Sequence, residues 1–291
     1  MSAEPIAADV QATIAQLWVY PVKSCAGISL TEVELTDTGL LYDRAWMVVD
    51  ADGEFVTQRE LPRMALIQTA FKMGQLVLRA PGMLALHLAL DAAEGPLQVR
   101  VWDDEVQAYD MGDLAAQWFS DFLGQPLRLA RFDPEVRRVC SLKWTGGREA
   151  VTQFADGFSL LVTSTASLDE LNTRLGAAGH GPVEMLRFRP NVVLAGVEAH
   201  DEDRVGAMRI GTGDGASALI EPVKPCGRCP IPNIDPATAI SSPEVNDTLQ
   251  VYRQDPRLNG AITFGMNAIV LEGDGQVLRI GQPVSADWKF D

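Results

Sequence analysis

Between residues 13 and 110 the apolar positions recur at every second residue, in short runs: IAQLWVYPV, AWMVVD, LVLRA, LALHLAL and LQVRVW. A period of two marks strands with one buried face. Turn text separates the runs, and Asp52-Gly53 within VVDADGEFVTQ predicts a hairpin. The period then changes. In DLAAQWFSDFLG, Leu114, Trp118 and Phe122 recur at four-residue steps, and Gly124 stands where a helix C-terminus favours a left-handed residue. One helix therefore closes the first half. Residues 131–158 lose periodicity and gain charge, which predicts a connection or surface excursion between two units.

The second half opens with SLLVTSTASLDELNTRLG, a strand followed by a helix. Ser167 and Glu170 form a capping-box pattern ahead of Leu168, Leu171 and Leu175, and Gly176 marks the stop. PNVVLAG, MRIGT and SALIEPV predict strands, and SSPEVNDTLQVYR predicts a helix with Ser242 at its cap and Pro243 at its first position. NAIVLEGDGQVLRIGQPV predicts two strands around Asp274-Gly275. Strands outnumber helices and no regular β–α alternation appears, so the fold class is mainly β with peripheral helices, an α+β arrangement. The division this predicts is two β-barrel or β-sheet domains, residues 13–131 and 132–291.

Composition narrows the function. At 291 residues and 47% hydrophobic content the chain carries core enough for two domains. A net charge of −15 and a pI near 4.6 argue against nucleic-acid and anionic-membrane partners, which demand a cationic surface. The opening MSAEPIAADV has no charged or apolar leader and reads as a frayed start, and no stretch approaches the roughly 20 apolar residues of a membrane span. The expectation is a cytoplasmic protein with reduced thiols, because Cys25, Cys140, Cys226 and Cys229 are scattered and resemble no disulfide scaffold.

The candidate chemistry sits in KPCGRCPIPNIDP, residues 224–236, where two cysteines three apart lie among four prolines. Proline stiffens the chain and removes donors, so this stretch is expected to be a rigid loop, neither helix nor central strand. Cys-x-x-Cys alone serves zinc sites, redox dithiols and cofactor loops. Zinc asks for four ligands, and the other candidates, Cys25, Cys140, His87, His180 and His200, stand isolated. His87 reads as a solvent-facing strand position, and His180 and His200 as surface residues. A dithiol normally opens a helix, which the prolines oppose. A thiolate beside Lys224 and Arg228 also suits a soft transition metal, and if that metal arrives within an anionic organic cofactor one protein sulfur is enough. Such a site asks for cationic and hydroxyl groups elsewhere.

Those groups occur in YPVKSCAG (Lys23, Ser24), YDRAW (Arg44) and RFRPN (Arg187, Arg189, Asn191). Taken in order with CGRCPIPNIDPATA, these motifs resemble the MOSC-domain proteins with an N-terminal β-barrel, the group that includes the mitochondrial amidoxime-reducing component and its bacterial relatives. The resemblance runs over nearly the whole chain after the first dozen residues. It implies a molybdenum enzyme whose metal, carried by a pterin cofactor between the two domains, is ligated by the second cysteine of the motif, here Cys229, with a lesser role for Cys226. It further implies that Lys23, Ser24, Arg44, Arg189 and Asn191 hold the pterin and its phosphate, that Thr163 and Ser164 add donors at a strand-to-helix turn, and that Gly227, Arg228 and Asn267 lie at the cofactor. Gly227 and Asn267 replace the serine and the aromatic residue of the relatives, so contacts there are expected to differ.

The implied activity is reduction of N-hydroxylated substrates, catalysed at Cys229-bound molybdenum cofactor. The chain shows no iron-sulfur cysteine set and no Gly-rich nucleotide fingerprint, so an external electron-transfer protein is the expected donor. Two other readings use the same loop: a sulfur carrier or sulfurtransferase with a Cys229 persulfide, and a non-catalytic cofactor carrier.

Overall fold

The computed structural model of the chain describes residues 8–213 and 215–289; the expected fraying of residues 1–7 lies outside them. At its centre seven strands close into a barrel: β1 (Val10–Val19), β2 (Leu160–Ser164), β3 (Val192–Ala195), β4 (Met208–Gly213), β5 (Ala216–Gly227), β6 (Ala261–Glu272) and β7 (Pro283–Ala286). Around the barrel the order is β2-β3-β1-β7-β4-β5-β6, and β6 pairs back onto β2. Only β2 and β3 run parallel among these neighbours. The alternation read from sequence becomes the core directly: Val10, Ala12 and Ile14 of β1 point inward while Gln11 and Thr13 are exposed. They meet Leu194, Ile210, Ile220, Ala268 and Val284 in one apolar cluster.

Strand β1 precedes the expected boundary at residues 131 and 132 yet pairs with β3 and β7 of the later half. The intervening chain builds its own sheets. One joins strands Trp46–Val49, Arg128–Phe132, Asp104–Asp110 and Gly95–Val101, and another joins Gln68–Lys72, Gln75–Arg79 and Leu86–Ala89. Their core gathers Trp46, Ile67, Leu78, Phe119 and Leu129. Helix α1 (Asp113–Leu123) packs there, and Gly124 ends it at φ 80° with its N–H on the Ser120 carbonyl. Leu114 does not share the buried face and is 72% exposed. Four-residue steps drift around a helix of 3.6 residues per turn, so the buried stripe runs through Ala115, Trp118, Phe119 and Phe122 instead.

Several local readings are corrected. Ser164, not Ser167, caps α2 (Thr165–Ala177): its hydroxyl accepts from Ser167 N at 3.1 Å, and the helix runs past Gly176. Glu170 lies one turn too far in to cap and pairs with Arg174. Helix α3 (Glu244–Tyr252) has Pro243 itself at the cap, with no side-chain cap bond. The stretch read as a loop from residue 224 is, up to Gly227, the end of central strand β5. Its prolines fit because the β5–β6 ladder slips between Pro222 and Lys224 and between Pro225 and Gly227, where a missing donor breaks no bond.

Residues 131–158 are not a surface excursion, since Cys140, Thr145, Phe154 and Phe158 are buried. His87 and His180 are exposed as expected, whereas His200 is enclosed, its side chain 11% exposed between the rings of Tyr252 and Phe264. Among the described residues no helix is long and apolar enough to cross a membrane.

Candidate functional site

A cleft opens where the first-half sheets meet the barrel. Lys23, Ser24, Arg44, Arg189, Asn191, Gly227, Arg228, Cys229 and Asn267 all line it. Thr163 and Ser164 do not. Both are fully buried, Thr163 with its hydroxyl on the Met185 sulfur at 3.3 Å and Ser164 on the α2 cap.

One wall is built on Tyr20, which is 1% exposed. The guanidinium carbons of Arg44 and Arg189 lie 4.4 and 4.3 Å from the centre of its ring. Arg44 donates to the Asp43 carboxylate at 2.5 Å, to Asn191 Oδ1 at 3.2 Å and to the Arg189 carbonyl at 3.0 Å. Arg189 donates through Nη1 to the Cys25 carbonyl at 2.7 Å, while its Nη2 is buried with no partner. Burial, aided by the like charge of Arg44, lowers the Arg189 pKa to about 10, so it stays charged at neutral pH. Two cations thus face one carboxylate, Asp43. Ser24, Arg44 and Arg189 also have φ of 66°, 50° and 56°, left-handed conformations that non-glycine residues adopt at a cost and that gather at functional sites.

The other expected cations are engaged within the protein. Lys23 is 6% exposed and donates to the Phe154 carbonyl at 2.8 Å and to Asp156 Oδ1 at 2.5 Å. Burial lowers its pKa, and Asp156 works in the opposite direction. Arg228 gives its guanidinium to the Phe188 and Phe264 carbonyls, each at 3.0 Å, and so braces the cysteine turn from behind. Cys226 and Cys229 are both half-buried free thiols. Burial raises the Cys226 pKa, with Arg228 opposing. After Cys229 the chain makes a short 3₁₀ turn, Ile231–Asn233, which Arg187 fastens by bonds to the Pro232 carbonyl at 3.2 Å and Asp235 Oδ2 at 3.0 Å. Asn246 Nδ2 holds the Cys229 carbonyl at 3.2 Å. The cysteine is presented on a backbone pinned from three sides.

The cleft also contains Thr57, Arg59, Asp156, Gly157 and Phe158, which reading the sequence did not single out. Thr57 and Arg59 follow the Asp52-Gly53 turn, and the other three fall in the aperiodic stretch before β2. The available signal was chemical: Asp156-Gly157 is a turn dipeptide shortly before the strand that begins at Leu160.

Residues 11–126 match the model of the MOSC N-terminal beta barrel domain, and residues 149–285 match that of the MOSC domain. The chain belongs to the MOSC family. Mitochondrial amidoxime-reducing component 1 of Mus musculus is 36% identical over 94% of this chain and 81% of its own length. The Homo sapiens protein of the same name is 35% identical over 94% and 82%. Molybdenum cofactor sulfurase of Oryza sativa subsp. japonica is 33% identical over 91% of this chain but only 34% of its own length. The cytoplasmic expectation is corrected by these comparisons, since the amidoxime-reducing relatives are mitochondrial by name. A start without leader character was no ground for it.

The donor set of this MOSC protein fits an anionic metal-carrying cofactor. The orphaned Arg189 Nη2 needs an acceptor, the Arg44–Arg189 wall carries excess positive charge, and a half-buried thiol stands in the same cleft.

Proposed function

We infer that this MOSC protein binds molybdenum cofactor in the cleft through Cys229 and reduces N-hydroxylated substrates with electrons from an external donor protein. The observation that carries the reading is the pairing, in one cleft, of a rigidly held cysteine with a cationic wall whose buried Arg189 Nη2 lacks a partner. The relatives named for amidoxime reduction and for molybdenum cofactor support it. Two-electron redox chemistry at the N–O bond is what the bound cofactor supplies. The overall change takes two electrons and two protons for each N–OH cleaved and releases water.

The roles of this chain follow from how its donors are engaged. Cys229 is the metal ligand, a soft sulfur on a fixed backbone. Arg189, with Arg44 beside it, binds the anionic end of the pterin. Asn191 and Arg228 act by holding Arg44 and the cysteine turn. Ser24, Gly227 and Asn267 stand at the cleft surface, and Gly157 and Phe158 take the side assigned by resemblance to Thr163 and Ser164. Residues 13–131 and 132–291 are read as the folding units, with β1 completing the barrel of the second.

The test is metal analysis of the purified protein with fluorescence of its oxidised pterin, followed by turnover of benzamidoxime with a chemical donor. Molybdenum, pterin and turnover that all disappear in Cys229→Ser support the reading. Sulfane sulfur on Cys229 without molybdenum would make it a sulfur carrier. Full cofactor content with no turnover under a competent donor would make it a cofactor carrier.

A further inference from the structure

The arginines of the cleft differ in how far their donors are committed. Arg44, Arg187 and Arg228 each make two or more side-chain bonds within the protein, and Arg189 keeps one nitrogen unpaired. Arg59 is different. Among the described residues its guanidinium makes no hydrogen bond, and the carboxylate beside it, Glu60, has Oε1 3.6 Å from Nε. The second Glu60 oxygen is already taken by the backbone N–H and hydroxyl of Thr57.

Arg59 is nevertheless held in place. Its guanidinium carbon lies 4.8 Å from the ring centre of Trp102 and 5.8 Å from that of Phe55, and those two rings meet edge to face at 5.0 Å. The Trp102 indole N–H donates at 3.2 Å to Asp156 Oδ1, the oxygen that also receives Lys23. Trp102 sits in the turn between strands Gly95–Val101 and Asp104–Asp110, with φ of 57° and 46% exposure. A left-handed turn position favours Gly, Asn or Asp, so a large aromatic there is unfavourable for the turn itself. What the indole provides is a face against Arg59, whose side chain is 20% exposed and lines the cleft.

We propose that Arg59, backed by Trp102 and Phe55, is an oxyanion-binding residue at the mouth of the cleft, taking a carboxylate or a phosphate. A planar fork with uncommitted donors recognises such groups by paired bonds, and an aromatic face behind it fixes the plane of the fork. Two sources can present the oxyanion: a carboxylate carried by the N-hydroxylated substrate, or the phosphate of the cofactor. Position favours the substrate. The Arg59 side chain is 20% exposed and has the open carboxylates of Glu60 and Asp156 near it, at 59% and 69%, whereas Arg44 is 12% exposed beside the buried Asp43. The choice of source rests on the reductase reading; oxyanion binding at Arg59 does not.

Benzoate and inorganic phosphate are titrated into the purified full-length protein, with the Trp102 indole N–H resonance, assigned through Trp102→Phe, as reporter. Saturable shifts are expected, with the apparent Kd raised about tenfold or more in Arg59→Gln and by less in Arg59→Lys, which keeps charge but loses the fork. By isothermal titration calorimetry, which needs no indole reporter, Trp102→Ala is expected to weaken binding and Trp102→Phe to restore part of it, as a positioning role requires. Equal affinity in the wild type and Arg59→Gln, both folded, overturns the proposal.

A second arm compares benzamidoxime with 4-carboxybenzamidoxime and measures molybdenum per chain. A fall of about tenfold in the carboxylated-to-neutral kcat/KM ratio in Arg59→Gln, at wild-type molybdenum content, assigns the oxyanion to the substrate. Lower molybdenum with an unchanged ratio assigns it to the cofactor and overturns the choice of source. If the wild type takes up no molybdenum the reductase reading fails, and the titration still decides Arg59.

Discussion

Arg44 Nη1 donates to Asn191 Oδ1 at 3.2 Å, joining residues 147 positions apart in the chain. The same Asn191 oxygen accepts from Leu161 N at 3.0 Å, and its Nδ2 donates to the Trp18 carbonyl at 3.2 Å. Asn191 is 1% exposed, so its amide is a pin between β1, β2 and the arginine wall. Asn191→Ala leaves buried groups on both strands unsatisfied and is expected to destabilise the fold by about 2–4 kcal/mol. Urea unfolding checks this, and molybdenum content is expected to fall with it because Arg44 loses an anchor. A midpoint equal to that of the wild type would show that the pin is dispensable.

Gly27 touches the platform on which both arginines rest. A Cβ at residue 27 would fall 2.5 Å from Tyr20 Cε1 and 2.8 Å from Cδ1. The Tyr20 ring is rigid and buried, so Gly27→Ala forces the ring, and with it Arg44 and Arg189, to shift. The expected effect is a loss of about 1–3 kcal/mol in stability together with weaker cofactor retention. Gly74→Ala is the control for the loss of a glycine, since residue 74 has open space around it and only its φ of 73° to strain. Equal cofactor retention in the two variants would separate the Tyr20 ring from the cofactor site.

The strands of this fold were legible because each buries one face, and alternation reports that locally. Closure was not. β1 pairs with β7, as in Val10 with Ala286, and nothing within a short window of sequence announces such a partner. The prolines of β5 misled for a related reason: they are tolerated where the ladder slips, and slippage belongs to the pair of strands. At the site, the residue types were visible but their engagement was not. Arg228 and Arg59 look alike in sequence and both line the cleft, yet the guanidinium of one is consumed by the carbonyls of Phe188 and Phe264 and that of the other makes no hydrogen bond among the described residues. Thr163 and Ser164 form a strand-to-helix turn that is legible in sequence, but their engagement with Met185 and the α2 cap is not, and neither is the place of Asp156, Gly157 and Phe158 in the cleft lining.

The two cysteines of the loop are expected to separate under mutation. Cys229→Ser replaces a soft sulfur by a hydroxyl and is expected to abolish molybdenum retention and reductase turnover. Cys226→Ser is expected to keep much of both. Burial raises the Cys226 thiol, so it remains protonated at neutral pH and is expected to react slowly with iodoacetamide. Mass spectrometry of the alkylated protein reads this directly. Rapid modification of Cys226, or equal loss of molybdenum in the two variants, would contradict the division of roles.

Away from the cleft, Glu202 gives a pH dependence with a definite sign. It is 1% exposed beside a small cavity lined by Leu194, Val205, Met208 and Val284. Its Oε1 accepts from Ser167 Oγ at 2.7 Å, and its Oε2 is buried without a partner. Burial raises its pKa from 4.5 to about 7, against the opposing hydrogen bond from Ser167. Because the folded pKa lies above the unfolded one, the folded state holds the proton more tightly. The resulting stability is fully present below about pH 4.5 and is lost as pH rises through about 7. A shift of that size corresponds to roughly 3–4 kcal/mol. His200 works in the opposite sense: burial, with the charge of Arg253, lowers its pKa from 6.5 to about 4, so its contribution is lost as pH falls through about 4. Comparing the wild type with Glu202→Gln removes most of that shared background. The stability of the Gln variant relative to the wild type is expected to grow between pH 4.5 and 7 and then level off, as read by urea unfolding at intervals across that range. A difference that stays flat would mean that the carboxyl is already ionised in the folded protein and that the cavity admits water to Oε2.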